Sequence, residues 1–553
     1  MLGMPLLFLC FAALQLTPPF LQAQPVAPVE GTLRIIGIMA EFQPDDNRFT
    51  SGNGTFEPGA VPYLKNPGTP VDALPHNRAY FESHLEFVKN YYQRMSDSRL
   101  AISYTVLPGI YRLPETMDNY TSTGRDPELE PLADLVTDAW NLVAESGDLP
   151  LENLPQGTVR TAFVIFHAGI GRDIELTGTT LDRTPQDIPS VYLDRNALSS
   201  LLGDPAFSGI PVDNGNIIVD NSLIIPRTQT RAGTDVSGNR FVIPLSINGM
   251  LAAQLGSHLG LPDLFNTETG ESGIGRFGLM DGASIFAYNG LFPPAMSAWQ
   301  KLRLGCPAPV EIGYSEPATL NLPADSPAEL HTVYKIPISS GEYFLVENRH
   351  RDPLGNGVTL TIRRPDGSVA TQTFGNNDEA FVSQTTGFDA LLEPGVVEDV
   401  SHFDFALPGG LDRSAPESPE PVELNGGILI WHIDEAVIRE KESQNAINNN
   451  PDRRGVRLLE ADGAQDIGRA VSIGLTENPV NGSPYDFWWS GNNATVVTAG
   501  TSISLYQNRF GPDTTPDNSS NSGTPSPFEL LNFSDNLPEA VFEIRPANPF
   551  PGL

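Results

Sequence analysis

The stretch NGMLAAQLGSHLGLPDLF, Asn248–Phe265, decides the fold that we expect for this chain. Its leucines recur at helical spacing, so the first half predicts an amphipathic helix. Gly260 is typical of a helix C-cap, and Pro262 prevents the helix from continuing. The stretch therefore predicts a helix that ends in a turn carrying Asp263.

Strand and helix patterns alternate on the N-terminal side of this helix. Apolar, β-branched runs at Thr32–Phe42 and Thr158–Gly169 predict buried strands. Apolar residues at helical spacing predict amphipathic helices over Asn77–Ser96 and Pro131–Glu145. Mixed elements of this kind are typical of an α+β domain, which we expect to reach about residue 305.

Helical periodicity nearly disappears beyond residue 307, and short strand patterns separated by turn residues replace it. This texture predicts a β-rich, sandwich-like region of one or two sandwiches. The strand candidates are His331–Ile338, Glu342–Arg349, Val358–Arg364, Gly426–Asp434, Gly455–Asp462, Thr501–Asn508 and Ala540–Pro546. We therefore divide the chain into residues 24–306 and 307–553.

Residues 1–23 are predicted to be a signal peptide. Leu6–Leu14 is an apolar core of suitable length, and Ala23 is a small residue before a cleavage point at Gln24. The alternative is an uncleaved anchor. No later stretch is long enough to cross a membrane. After cleavage Cys306 is the remaining cysteine, so an intrachain disulfide is excluded, and secretion from a bacterium is favoured.

The charge is strongly acidic, with 67 Asp and Glu residues against 33 Lys and Arg residues and a net charge of −34. Such a charge excludes nonspecific binding to nucleic acid or to anionic membranes. It favours solubility outside the cell or binding of calcium, which prefers carboxylate ligands. Glu460, Asp462 and Asp466 in EADGAQD are the calcium candidates, with ordinary turn use as the alternative.

A zinc peptidase helix needs two histidines four residues apart and a glutamate beside the first histidine. In metzincin-like sites a glycine turn follows with a third ligand, and a methionine turn lies downstream. When this template is aligned on GLPD, Gly260 and Asp263 take the glycine and third-ligand positions, and Met280 takes the methionine position. The first histidine, the glutamate and the second histidine fall on Ala253, Gln254 and Ser257.

The chain resembles the immune inhibitor A–like secreted metallopeptidases. That family carries H-E-x-G-H-x-L-G-L-P-D-L-Y, a W-x-L-M-D-x-G turn and a P-x-x-x-S-A-W-x-K helix. The matching segments here are AQLGSHLGLPDLF, FGLMDGA and PPAMSAWQKLRLG, and YFLVENR and GGILIWHIDE resemble the C-terminal part. The resemblance covers most of the chain from about residue 32. It implies a zincin-like domain, proteolysis and zinc as the cofactor.

This sequence departs from the family at every essential position. Ala253 cannot ligate a metal, and Ser257 is a poor zinc ligand. Gln254 cannot accept a proton as glutamate does, which removes general-base help of about 10²–10⁴-fold. Asp263 alone cannot hold zinc, which takes three protein ligands in a catalytic site. Zinc is therefore not expected here, and no residue is expected to be catalytic.

The favoured hypothesis is a catalytically inactive pseudopeptidase that binds a peptide or protein partner. One alternative is an active zinc metalloendopeptidase that uses non-standard residues, for example with His258 in a shifted register. Another is an extracellular structural or surface protein. His167, the His432–Asp434 pair and Trp488–Trp489 are expected to have structural roles.

Overall fold

The computed structural model describes residues 9–10, 29–65, 71–121, 129–148, 159–176, 184–235, 237–306, 308–324, 332–376, 393–412, 422–473, 476–498 and 501–548. Apart from residues 9–10, the predicted signal peptide lies outside these residues, as does its cleavage point. Within them the chain is a mixed α+β protein with many strands in several sheets and few helices.

Seven α-helices are described, and most of them lie in the first 306 residues. They are α1 Arg78–Met95, α2 Glu130–Ser146, α3 Arg195–Leu201, α4 Asn248–His258, α5 Gly282–Ile285, α6 Ala298–Arg303 and α7 Glu435–Lys441. The predicted helices at α1, α2 and α4 are confirmed. Gly260 has φ +95°, which is the left-handed conformation expected just after the end of α4.

The strands of the first half are β1 Leu9–Cys10, β2 Gly31–Glu41, β3 Leu100–Arg112, β4 Val159–Ile170, β5 Glu175–Leu176, β6 Val191–Leu193, β7 Ile210–Val212, β8 Ile217–Val219, β9 Ser222–Thr228, β10 Arg231–Thr234 and β11 Arg240–Ile243. Five of them form a central sheet in the order β3-β2-β4-β9-β6. The first four strands of this sheet run parallel, and β6 pairs antiparallel with β9. β6 is thus a short antiparallel strand at one edge.

The central sheet is covered on both faces. On one face Leu33 and Phe166 share a core with α1 and α4. On the other face Ile36 and Ile165 share a core with α2. Parallel strands buried on both faces read as continuous apolar runs, which is why β2 and β4 are recognisable in the sequence.

The second half is built from strands β12 Val310–Glu311, β13 Ala318–Pro323, β14 Tyr334–Pro337, β15 Glu342–His350, β16 Val358–Arg363, β17 Val369–Phe374, β18 Val396–Val400, β19 Gly410–Asp412, β20 Val422–Leu424, β21 Gly426–Asp434, β22 Val456–Leu458, β23 Ala470–Ile473, β24 Thr476–Pro479, β25 Thr495–Thr498, β26 Thr501–Ser504, β27 Arg509–Phe510, β28 Phe528–Leu531 and β29 Glu539–Pro546. A five-stranded sheet, β12-β14-β15-β21-β22, shares an apolar core with a four-stranded sheet, β13-β29-β28-β27. The seven strand patterns predicted from the sequence all contain strands.

A buried ionic cluster joins the five-stranded sheet of the second half to the segment around α6. Arg349 on β15 donates to both carboxylate oxygens of Asp404 and to the backbone oxygen of Ala295. Glu347 on the same strand accepts from the backbone N–H of Ala298 at 3.1 Å and from the indole of Trp431 at 2.7 Å. The apolar core containing α4 also includes residues of β15 and β21, so packing is continuous across residue 306. The proposed boundary at that residue stays a prediction.

Candidate functional site

Helix α4 makes close contacts with helix α1 and with the turn that carries Met280. The Tyr92 hydroxyl of α1 donates to the backbone oxygen of Ala252 at 2.7 Å. A Cβ placed on Gly256 would lie 2.8 Å from Sδ of Met280 and 3.1 Å from the Tyr92 hydroxyl. Gly256 therefore allows α1 and the Met280 turn to approach the helix more closely than any side chain would permit.

The two histidine positions of the zinc template lie one helical turn apart, as the alignment predicts. The hydroxyl of Ser257 donates to the backbone oxygen of Ala253 at 3.4 Å, which is a bond within the helix. Ala253 is buried, and its methyl group carries no ligand atom. Neither position therefore offers an imidazole to a metal ion.

Gln254 occupies the template's glutamate position and is partly buried. Its Nε2 atom approaches the sulfur of Met250 at 3.6 Å, which is a weak contact. Its Oε1 atom is buried, and no hydrogen-bond partner for it exists among the described residues. Gln254 thus keeps an amide oxygen, but not the proton-accepting carboxylate that the reaction would need.

Asp263, the third-ligand candidate, is bound by an asparagine from the second half of the chain. Nδ2 of Asn445 donates to the Asp263 carboxylate at 2.6 Å, and the Asp263 backbone N–H donates to Oδ1 of Asn445 at 2.9 Å. Burial raises the pKa of Asp263 to about 6, with a further increase from the charge of Asp281. The carboxylate therefore has an amide donor where the family would place a metal ion.

The loop that carries Asn445 makes further contacts with the segment after α4. Nδ2 of Asn448 donates to the backbone oxygen of Leu264 at 2.9 Å. Oδ1 of Asn449 accepts from the backbone N–H and the hydroxyl of Thr267. This loop was not among the residues predicted for the site, although the run NAINNN, Asn445–Asn450, is a conspicuous signal for side-chain hydrogen bonding.

His258 faces the edge strand of the central sheet. Its Nδ1 atom lies 3.2 Å from the hydroxyl of Tyr192 on β6, and the two rings pack edge to face. Its Nε2 atom is buried without a hydrogen-bond partner in the described part of the chain. Burial, with a smaller contribution from Arg160, lowers the pKa of His258 to about 4, so the imidazole is neutral near pH 7.

Met280 lies in a tight turn and has φ +68°, an uncommon conformation for a residue other than glycine. Its backbone oxygen accepts from the N–H of Leu264 at 2.8 Å, which fixes the turn against the segment after α4. The next residue, Asp281, is buried and accepts from the N–H groups of Gly273 and Ile274. The sulfur of Met280 therefore packs beneath α4, where the template places its methionine.

The residues at this position do not fit zinc. Ala253 and Gln254 supply no metal ligand or base, and Asp263 is engaged by Asn445. Across the described residues, the group of three His, Cys, Asp or Glu side chains with ligand atoms within 4.8 Å of one another lies elsewhere in the chain. The residues at the template positions therefore supply no zinc chemistry.

That group consists of Glu460, Asp462 and Asp486. Two of the calcium candidates, Glu460 and Asp462, therefore lie together. The third carboxylate of the group is Asp486, whereas the sequence suggested Asp466. Asp466 donates its backbone N–H to Glu460 at 2.7 Å. Burial raises the pKa of Glu460 to about 7. Burial also raises the pKa of Asp486 well above its usual range.

Calcium binding by this group stays a prediction. Calorimetric titration of the protein and of an Asp486→Asn variant with Ca²⁺ tests it. We expect heat of binding from the unsubstituted protein and much less from the variant, because calcium affinity depends on the number of carboxylate ligands.

The remaining residues singled out from the sequence have structural roles. Nδ1 of His167 accepts from the N–H of Gly169 at 3.2 Å, which is the turn-forming bond expected for it. His432 pairs with Glu342 at 3.0 Å, and Asp434 caps α7 through the N–H groups of Ala436 and Val437. The side chains of Trp488 and Trp489 are buried, as core packing predicts.

Comparison with known proteins gives little further identification. No model of a known protein family matches the chain, and no curated protein matches it. Among solved structures, OgpA from Akkermansia muciniphila is a distant neighbour with 10% sequence identity and a TM-score of 0.22. That likeness covers 76% of this chain and 92% of OgpA, and a TM-score this low supports no conclusion about function. Among the helices of the described residues, none has the length and apolar character to cross a membrane.

Proposed function

We propose that this chain is a secreted, zincin-like protein of the immune inhibitor A–like metallopeptidase class that binds an extended peptide or protein segment without cleaving it. The observation that carries the proposal is the state of the template positions on α4. Ala253 and Ser257 lie one turn apart on α4, yet they supply no metal-binding group.

The zincin-like fold is supported by the arrangement around α4. The helix packs against the central sheet, a glycine turn follows it, and Met280 lies beneath Gly256. These features follow the order of the template that the sequence suggested. The departures are confined to the residues that would carry the reaction.

Peptide binding is supported by strand β6. It is the terminal strand of the central sheet, and β9 is its one partner strand within the described residues. An edge strand presents backbone donors and acceptors that an extended peptide can pair with. Tyr192 and His258 lie at this edge, with Gln254 one turn earlier on α4, so polar side chains accompany the backbone groups.

The first test compares zinc content and proteolysis in the unsubstituted protein and a repaired variant. We expect far less than one zinc per chain and no cleavage of an unstructured protein such as casein. The variant Ala253→His, Gln254→Glu, Ser257→His restores two ligands and the base, and should bind zinc after dialysis. The matched control, Ala253→His with Ser257→His and Gln254 retained, should bind zinc but hydrolyse casein poorly.

The contact with Asn445 adds a requirement to this repair. Asp263 can act as the third ligand only when its carboxylate is released, so the variants should also be made with Asn445→Gly. Gly suits the left-handed conformation of residue 445, which has φ +51°. Failure of every folded repaired variant to bind zinc would contradict the zincin-like reading. One tightly bound zinc ion in the unsubstituted protein that is lost on Asp263→Ala would contradict the proposal that the protein is catalytically inactive.

The second test measures peptide binding directly. Fluorescent peptides from a casein digest should bind the unsubstituted protein, and Gln254→Ala should weaken binding because a polar group beside β6 is lost. Gln93→Ala is the matched control, since Gln93 is exposed on α1 away from this edge. Equal binding by both variants would contradict the placement of the peptide beside Gln254, and no binding by the unsubstituted protein would favour the alternative of an extracellular structural protein.

A further inference from the structure

Behind the N-terminal end of α4 lies a buried polar cluster that the proposed function does not use. It contains Asp72 and His76 from the segment before α1, His84 on α1, Arg227 on β9 and Asn248 at the start of α4. The side chains of Asp72, His84 and Asn248 are all buried. Two atoms in it, Oδ1 of Asp72 and Nε2 of His84, have no hydrogen-bond partner among the described residues.

Asn248 determines which ring nitrogen of His84 carries its proton. Both donors of the Asn248 amide are used, because Nδ2 donates to the backbone oxygens of Leu291 at 3.0 Å and Val397 at 2.9 Å. The Oδ1 atom of Asn248 is therefore an acceptor. Nδ1 of His84, 2.6 Å away, must be the donor in that bond.

A neutral His84 in this tautomer has a lone pair on Nε2. That atom faces Oδ1 of Asp72, which is 3.7 Å away and is also an acceptor when the carboxylate is ionised. Two buried acceptors directed at each other repel, and each lacks a donor. A single additional proton between them removes both defects at once.

Comparison with His76 shows that the need for an additional proton is specific to His84. Its Nε2 atom donates to the backbone oxygen of Asp72 at 2.7 Å, and its Nδ1 atom accepts from Nε of Arg227 at 3.0 Å. Both nitrogens are satisfied in one neutral tautomer. His76 needs no further proton, although it is as deeply buried as His84.

The groups around the pair do not supply another positive charge to Asp72. Its second oxygen accepts from the hydroxyl of Thr228 at 3.3 Å. The hydroxyl of Ser246 and the backbone N–H of Ile247 also face the carboxylate, as does Tyr80, whose hydroxyl donates to the backbone oxygen of Arg227 at 2.7 Å. These groups are neutral. The charged group of the cluster, Arg227, is directed at His76 and at the backbone oxygen of Thr55. On β18 the two acids are paired elsewhere, Glu398 with Arg363 and Asp399 with Arg94.

We infer that the folded protein holds one proton between Asp72 and His84, carried as the Asp72 carboxylic acid that donates to Nε2 of His84. Burial raises the pKa of Asp72 to about 7 and lowers that of His84 to about 3, which agrees with a protonated acid beside a neutral imidazole.

The consequence is a proton that the pair keeps on folding but that moves from His84 to Asp72. An aspartate in the unfolded chain has a pKa of about 3.9 and a histidine has one of about 6.5, so the unfolded pair also holds one proton between about pH 4 and pH 6.5. Over this range Asp72, whose pKa is raised, favours folding less and less as the pH rises, whereas His84, whose pKa is lowered, favours folding more and more, and the two slopes cancel. Above pH 7 the acid ionises, and the repulsion between the two acceptors returns.

Asp72→Asn tests the inference, because its amide can donate to Nε2 of His84 without an extra proton. Relative to this variant, the unfolding constant of the unsubstituted protein should rise about tenfold per pH unit between pH 5 and pH 7. An infrared band of a protonated carboxylic acid, present at pH 6, should be absent from the variant. Asp434→Asn is the control, because the pKa of Asp434 is below its usual range and the slope should not change.

His84→Gln keeps the test open if Asp72→Asn does not fold. Its amide can donate to an ionised Asp72, so it should remove the infrared band. A band that persists in His84→Gln, or parallel pH profiles for the unsubstituted protein and a folded Asp72→Asn variant, would overturn the inference. So would one divalent metal ion per chain that is lost on substitution, since a metal would then supply the positive charge.

Discussion

The two ends of helix α4 are both polar, but they differ in how completely their polar groups are paired. At the N-terminal end, the buried side chain of Asn248 makes three hydrogen bonds, to His84, Leu291 and Val397. In the C-terminal half, Gln254 makes one weak contact with a methionine sulfur, and its oxygen has no partner in the described residues.

This difference separates a residue that fixes the helix in place from one that does not. A buried polar group that is fully paired contributes to a unique packing, whereas an unpaired one costs stability. The helix is therefore fixed at its first turn, while the template positions Ala253, Gln254 and Ser257 in its later turns carry no metal ligand or general base.

The largest effect is expected when the side-chain amide of Asn248 is removed and the loss of stability is compared with that for Gln254. Asn248→Ala leaves two buried carbonyls and the His84 N–H without partners, and each such loss costs about 1–3 kcal/mol. We expect urea denaturation to show a loss of about 3 kcal/mol or more. Gln254→Ala should cost less than about 1 kcal/mol, and similar losses for both variants would contradict the contrast.

Gly256, two residues beyond Gln254, gives an intermediate effect. Gly256→Ala inserts a methyl group into the contact with Met280 and Tyr92, and overpacking of this kind costs about 1–3 kcal/mol. Alanine would otherwise stabilise a helix interior relative to glycine. Ser257→Ala, the neighbouring control, should stay within about 0.5 kcal/mol of the unsubstituted protein. A stabilised Gly256→Ala variant would show that the Met280 turn does not press against α4.

Local patterns were sufficient for the fold elements that positioned this helix. The apolar runs of β2 and β4 and the helical spacing in α1 are properties of neighbouring residues, and the structure has those elements. Gly260 and Pro262 likewise mark the end of α4 locally. The Met280 turn could be placed because the resemblance supplied its spacing.

The partners of the polar residues could not be predicted in the same way. Asp263 and Asn445 are 182 positions apart in sequence, and His84 and Asn248 are 164 apart. Such pairs form only when the tertiary fold brings distant elements together. The acidic group shows the same limit, because Asp466 is close to Glu460 in sequence whereas Asp486 is the third clustered carboxylate.

The smallest expected effect concerns Asp263, and its sign distinguishes an amide partner from a metal. Burial raises the pKa of Asp263 to about 6, whereas the unfolded chain titrates near 3.9. The folded state therefore binds the proton more tightly, and ionisation of Asp263 lowers stability progressively from about pH 4 to pH 6. A pKa shift of about two units corresponds to at most about 3 kcal/mol. Because the side chain of Asp263 is only partly buried, we expect Asp263→Asn to be more stable than the unsubstituted protein by about 1 kcal/mol at pH 7.5, with a gap that closes towards pH 4.

Denaturation of both proteins at several pH values, with and without a chelator, measures this gap. Asn445 can still donate to the amide oxygen of Asn at position 263, so its contact with residue 263 is retained. A bound metal ion would instead lower the pKa of Asp263, because an adjacent positive charge favours the ionised carboxylate. The substitution would then destabilise the protein at pH 7.5, and chelation would reduce the difference. That result would show that Asp263, just after the C-terminal end of α4, keeps a bound cation. The contrast between the two ends of the helix would then no longer hold.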